Sequence, residues 1–67
     1  MKPIPFQDLV RLVLSRGWTF HHARGSHYIY RKAGEPALSV PKHGATVAPG
    51  TARAILRAIG IDPATYR

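Results

Sequence analysis

From Phe6 to Leu14 the apolar residues Phe6, Leu9, Val10, Val13 and Leu14 recur at i, i+3, i+4, i+7 and i+8, the spacing of one helix face. Pro5 suits a first helical position, Asp8 falls in the first turn and Arg16 in the last, and Gly17 stands where such a helix stops. The spacing predicts a helix over 5–16, after a short lead of residues 1–4 in which Pro3 opposes helix. The period then changes. Trp18 to Ala23 is rich in aromatic and β-branched residues and predicts a first strand, with Trp18 and Phe20 on one face and in the core. Arg24-Gly25-Ser26 is a turn, His27 to Lys32 a second strand, Ala33 to Pro36 another turn, and Ala37 to Val40 a third strand ended by Pro41. Within the second strand Tyr28 and Tyr30 share one face, and His27, Ile29 and Arg31 share the other.

Lys42 to Val47 reads as a loop. A second helix is expected from near Ala48, with Pro49 in its first turn and Ala52, Ile55, Leu56 and Ile59 as its apolar stripe. Gly60 followed by Ile61 predicts a Schellman ending, and Asp62-Pro63 can cap one last turn. The order is α-β-β-β-α, an α+β domain spanning 1–67. Its three-stranded antiparallel meander needs a cover on one face, and both helices are expected there.

Composition narrows the function. Ten Lys and Arg against three acidic residues give a net charge of +7. Nine of the ten basic residues are spread from Arg11 to Arg67, so the charge belongs to the folded surface and points to a polyanionic partner. The chain has no cysteine, which excludes a disulfide framework and thiolate metal sites. Its longest apolar stretch, Leu9 to Leu14, is broken by Arg11 and falls far short of the roughly 20 residues of a membrane span. The expectation is a cytoplasmic protein that binds nucleic acid, RNA above all, without a membrane or a cofactor.

Catalysis is limited by what is present. Asp8, Glu35 and Asp62 are too scattered for a two-metal nuclease, and a nucleophile with a His-Asp relay lacks a convincing acid. Histidine remains, helped by Lys and Arg. On RNA that suffices in principle, because the 2′-OH can attack the adjacent phosphate if a side chain takes its proton, another protonates the leaving oxygen, and cations stabilise the charge. Of His21, His22, His27 and His43, His27 stands out because it opens a strand directly after the Gly25-Ser26 turn. Lys42 and His43 leave the third strand and come near it if that strand pairs with the second. His21 and His22 are adjacent strand residues expected on opposite faces, so at most one can join His27. A zinc site built on these histidines has no supporting ligand spacing.

The series Gly17-Trp18, Arg24-Gly25-Ser26-His27, Val40-Pro41 with His43, Pro49-Gly50-Thr51 and Ala54-Ile55-Leu56 with Gly60-Ile61 resembles the HicA toxin family over about residues 5–61. The resemblance implies a fold like a double-stranded-RNA-binding domain. It also implies a metal-independent endoribonuclease toxin that cleaves mRNA, with His27 catalytic and a HicB-type antitoxin blocking the site. The toxin alone is expected to be monomeric, and oligomeric when bound to the antitoxin. Many relatives have a second histidine where this chain has Tyr28, and an arginine where it has His22.

The candidate RNA-binding residues are Arg24, Gly25, Ser26, Tyr28, Arg31, Lys42, His43, Gly50, Thr51 and Arg53. Gly50 and Thr51 offer backbone N–H groups and a hydroxyl at a helix start, which can seat a phosphate or merely begin the helix. Tyr28, like Tyr30, Trp18 and Phe20, can stack on a base, but in a chain so poor in large apolar groups the core has the stronger claim on them. A non-catalytic module that recognises RNA shape and phosphates explains charge and fold equally well and leaves His27 idle.

Overall fold

The computed structural model describes residues 2–66. Met1 of the lead and Arg67 of the basic set lie outside the described residues, as do the two ends of the expected 1–67 span. The elements run β1 (Ile4–Pro5), α1 (Phe6–Ser15), β2 (Thr19–Arg24), β3 (His27–Arg31), β4 (Leu38–Pro41), β5 (Thr46–Val47) and α2 (Pro49–Ala58), with a 3-10 turn at Pro63–Thr65. The α-β-β-β-α order is present, in one small domain. The antiparallel sheet is ordered β2-β3-β4.

The lead and the loop before α2 are more ordered than the sequence suggests. Ile4 pairs with Val47 and Pro5 with Thr46 in a two-residue ribbon. Two-residue strands carry no readable period, but both apolar members, Ile4 and Val47, are buried. This ribbon also completes α1. Pro5 is the N-cap rather than the first helical residue and supplies no side-chain cap. Instead, the Phe6 amide donates to the Ala45 carbonyl at 2.9 Å, satisfying one of the N–H groups that a helix start leaves open.

At its other end α1 stops one residue before the expected boundary, with Arg16 as C-cap and Gly17 at φ +89°. Lys32 reaches back from beyond β3 to donate from Nζ to the Arg16 carbonyl at 2.8 Å, placing a cation at the negative end of the helix. The end of α2 follows the sequence closely. Gly60 donates to the Arg57 carbonyl and Ile61 to that of Leu56, the paired bonds of a Schellman motif. Asp62 then accepts from the Ala64 amide at 3.0 Å and caps the 3-10 turn.

Tyr30 faces Leu38 and Tyr28 faces Val40 across the β3–β4 ladder, and this side of the sheet packs under the two helices. Leu9 and Val13 of α1 and Leu56 of α2 close the core with Ile4 and Val40. Each such side chain, fully buried, contributes roughly 1.5–3 kcal/mol. Trp18 belongs to the core, although its indole N–H finds no acceptor there. Phe20 does not belong to it. It lies 52% exposed on β2, an edge strand whose six residues are all exposed. Its ring leans on Tyr28 and Tyr30 at centroid distances of 6.0 and 5.7 Å, but it stays outside the buried core.

The expected alternation of His21 and His22 also fails. Phe20 pairs with Tyr30 and His22 with Ile29, so His21 is the extra residue of a β-bulge. The two imidazoles lie side by side, with Nδ1 atoms 2.7 Å apart, one nitrogen donating and the other accepting.

Candidate functional site

The sheet has a second face, which no helix covers. The bulge brings His22 onto it opposite Ile29, and Arg24 lies across from His27. Ser39 lies across from Ile29, and Pro41 across from His27. His27 therefore stands at the hairpin end of an open, solvent-facing surface.

The local sequence builds this corner. Arg24 and His27 are paired residues, so Gly25-Ser26 is a two-residue hairpin loop. Gly25 takes φ +59°, and no other residue of the loop has positive φ, the arrangement of a type II′ turn with glycine first. Ser26 then receives the neighbouring chain through its carbonyl, which accepts from the Lys42 amide at 2.7 Å. That bond continues the β3–β4 association past Pro41, which has no N–H to give. It pins the residues after β4 beside the turn, so His43 and His27 become neighbours. Their rings are perpendicular, with centroids 6.3 Å apart.

His27 has one further partner that the sequence did not disclose. Its Nδ1 lies 3.2 Å from Ser39 Oγ. Ser39 alternates with the buried Leu38 and Val40, so β-strand periodicity does place it on the uncovered face. That this face is shared with His27 depends on the register of β3 against β4. With Nδ1–H donating to Oγ, Nε2 carries a lone pair and can accept a proton. The same bond persists once both nitrogens are protonated.

The other expected contacts divide by location. Arg24 and Arg31 are exposed on the strands of this sheet, with Arg31 on the face of His27 and Ile29. Tyr28 faces the opposite way, half-buried with its ring 5.3 Å from that of Phe6. Lys42 turns toward the start of α1, its Nζ 5.8 Å from the centre of the Phe6 ring, beside a shallow depression of about 620 Å³. His43 lines a different groove of about 340 Å³ together with Pro41, Pro49 and Thr51. This groove links the His27 corner to the start of α2, where Gly50 is exposed. Arg53 lies apart from it, in a depression shared with Arg57 and Asp62. His21, His22 and their mutual contact sit on β2, within the bulge.

The geometry thus brings together His27, Ser39 and His43, flanked by Arg24, Ser26 and the Lys42 backbone. One imidazole is oriented by a hydroxyl, and a second stands beside it. Such a pair can move protons on and off a bound phosphate ester, provided that ester brings its own nucleophile. Among the described residues no helix is long and apolar enough to cross a membrane.

Comparison with curated proteins and with solved structures finds no match. A family model does match, described as the HicA toxin of bacterial toxin–antitoxin systems, over residues 6–61. That span runs from the first residue of α1 to the Schellman isoleucine and includes every residue of the His27 corner. The chain belongs to the HicA toxin family.

Proposed function

We propose that this toxin is an endoribonuclease that cleaves mRNA without a metal ion, with His27 as the general base. The observation that carries the reading is the His27 Nδ1–Ser39 Oγ contact at 3.2 Å, which holds one nitrogen of an exposed imidazole against the sheet and leaves Nε2 toward solvent. In the reaction, His27 Nε2 accepts the proton of a ribose 2′-OH. The 2′-oxygen forms a bond to the adjacent phosphorus, the bond from phosphorus to the 5′-oxygen breaks, and that oxygen takes up a proton. The products are a 2′,3′-cyclic phosphate and a 5′-hydroxyl. The base position matches the family's Gly-Ser-His element at Gly25-Ser26-His27.

Cations around the corner support RNA as substrate. The net charge of +7 favours a polyanion, and Arg24 and Arg31 lie exposed along the strands of the sheet that carries His27. General acid–base catalysis by a positioned imidazole contributes about 10²–10⁴-fold, and Arg24, paired with His27 across the hairpin, adds stabilisation of the charged phosphorane. As the toxin of a toxin–antitoxin pair, the protein has an antitoxin partner. In this reading the antitoxin is of the HicB type and covers the uncovered sheet face, where it keeps RNA from His27.

The test is induction in cells of the native protein and of His27→Ala, matched for folded level, with growth and total mRNA integrity followed. Growth arrest and fragmented mRNA with the native protein only is the expected result. Equal arrest by both proteins without fragmentation would replace this reading with sequestration of RNA by a non-catalytic module.

A further inference from the structure

Proton transfer at a phosphate has two ends, and the base at one end leaves the departing oxygen unprovided for. We infer that His43 is the second catalytic residue, the general acid that protonates the leaving 5′-oxygen; this rests on the ribonuclease reading of His27.

Three observations converge on it. First, the position is built rather than incidental. The Lys42 amide bonds the Ser26 carbonyl at 2.7 Å, so the residue following Lys42 is tied to the turn that presents His27. Second, the rings of His27 and His43 are perpendicular, with centroids 6.3 Å apart. Two imidazoles so placed do not stack against each other, and their outer nitrogens can reach different oxygens of one phosphate through hydrogen bonds of about 3 Å. Third, the two rings are held differently. His27 is engaged by Ser39 through Nδ1, which suits a base of fixed orientation. The exposed His43 has no side-chain hydrogen bond among the described residues, so both its nitrogens are open to water and substrate. The groove that His43 shares with Thr51 and the start of α2 gives the strand beyond the scissile phosphate a path away from the corner.

The alternatives for the acid are weaker on geometry. Lys42 points its ammonium toward the Phe6 ring. Tyr28 lies on the helix side of the sheet. His21 and His22 are engaged with each other on the edge strand. In the balanced step, the proton leaves a His43 nitrogen for the 5′-oxygen as the bond from phosphorus to that oxygen breaks. His27 meanwhile holds the proton taken from the 2′-OH, and exchange with water returns both rings to their starting forms.

The experiment uses the purified full chain and an oligoribonucleotide containing a linkage that the native protein cuts, made with either oxygen or sulfur at the 5′ leaving position. A thiolate leaves without help from an acid. His43→Gln should slow cleavage of the oxygen substrate on the order of 10²-fold and cleave the sulfur substrate within a few-fold of the native rate. His27→Gln should stay slow on both. Equal slowing of His43→Gln on both substrates, or a native rate on the oxygen substrate, would overturn the assignment while leaving His27 as base. If His27→Gln cleaves both substrates like the native protein, the underlying reading of His27 is what fails. Thermal melts of both variants verify the fold, which exposed side chains are not expected to disturb.

Discussion

His27 and Ser39, twelve positions apart in the chain, meet across the β3–β4 ladder with Nδ1 and Oγ 3.2 Å apart. The contact is possible because His27 pairs with Pro41 and Ile29 with Ser39, which puts both polar side chains on the sheet face that the helices leave open. A serine here fixes which imidazole nitrogen faces solvent without adding a charge. In the proposed reaction Ser39 is a positioning residue, acting through His27.

Replacing Ser39 with alanine is expected to lower the RNA cleavage rate on the order of ten-fold, a fraction of the roughly 10²–10⁴ that general acid–base catalysis supplies. Ser39→Thr keeps the hydroxyl and should restore most of the rate. A purely structural role would give no such rescue, since Ser39 is exposed and its loss leaves the core intact. Single-turnover cleavage by the three proteins, with melting curves alongside, decides it.

Phe20 stands apart from the core residue Leu56 of α2, and stability should register this. Leu56→Ala removes a fully buried side chain and is expected to cost about 2–5 kcal/mol, a large share of the stability of so small a domain. Phe20→Ala removes only ring contacts made from an exposed position, worth about 0.5–1.5 kcal/mol. Urea unfolding of both variants should give midpoints that differ accordingly. A Phe20→Ala loss equal to that of Leu56→Ala would contradict the placement of Phe20 outside the core.

Much of this architecture was legible from local chemistry. The stripes of α1 and α2, the Gly60-Ile61 ending and the Asp62 cap are statements about neighbours in sequence, and the structure follows them except at Leu14, the last member of the α1 stripe, which is 48% exposed. What escaped depends on long-range pairing. Ile4 and Val47 are too short a run each to advertise a ribbon. Phe20 shares a sheet face with the buried Tyr30 yet stays exposed on the edge strand, a position in the sheet that alternation does not encode. The bulge at His21 reverses the face of every later residue on β2 relative to simple alternation, and so overturned the expected separation of His21 from His22. In the site, His27 was legible from the turn before it, and His43 was foreseen as a neighbour only if the strands paired. Ser39 required the register itself.

Gly25 and Gly50 offer a matched comparison. A Cβ built on either meets nothing within 4 Å, so neither substitution clashes. Only Gly25 has positive φ, at +59°. Gly25→Ala is expected to destabilise by roughly 1–2 kcal/mol through backbone strain alone. Gly50→Ala, in the first turn of α2, should be neutral or stabilise by up to about 1 kcal/mol, because it restricts the unfolded chain. Differential scanning calorimetry should show melting temperatures moving apart. Equal losses would mean that the turn at Gly25 is not held in the left-handed region.

Burial, and secondarily the neighbouring Tyr28, raises the Tyr30 hydroxyl above its ordinary value of 10.0. The folded state therefore keeps this proton at a pH where the unfolded chain has released it. With fewer protons bound when unfolded, stability falls as pH rises above about 10, and the loss levels off once the folded state also ionises. Below the unfolded value the contribution is fully present. Urea midpoints taken between pH 8 and pH 11 should decline, and Tyr30→Phe should flatten that decline. An unchanged slope in Tyr30→Phe would assign the alkaline loss to other groups.

In the proposed reaction an oriented histidine uses the RNA's own 2′-OH. The most direct measurement is the end-group analysis of RNA incubated with the purified protein in a metal chelator, beside His27→Ala and a substrate with 2′-O-methyl at the cleaved position. The native protein is expected to leave 2′,3′-cyclic phosphate and 5′-hydroxyl ends, with no cleavage by the variant or of the methylated substrate. Cleavage that the chelator abolishes, or that persists at the methylated position, would contradict it.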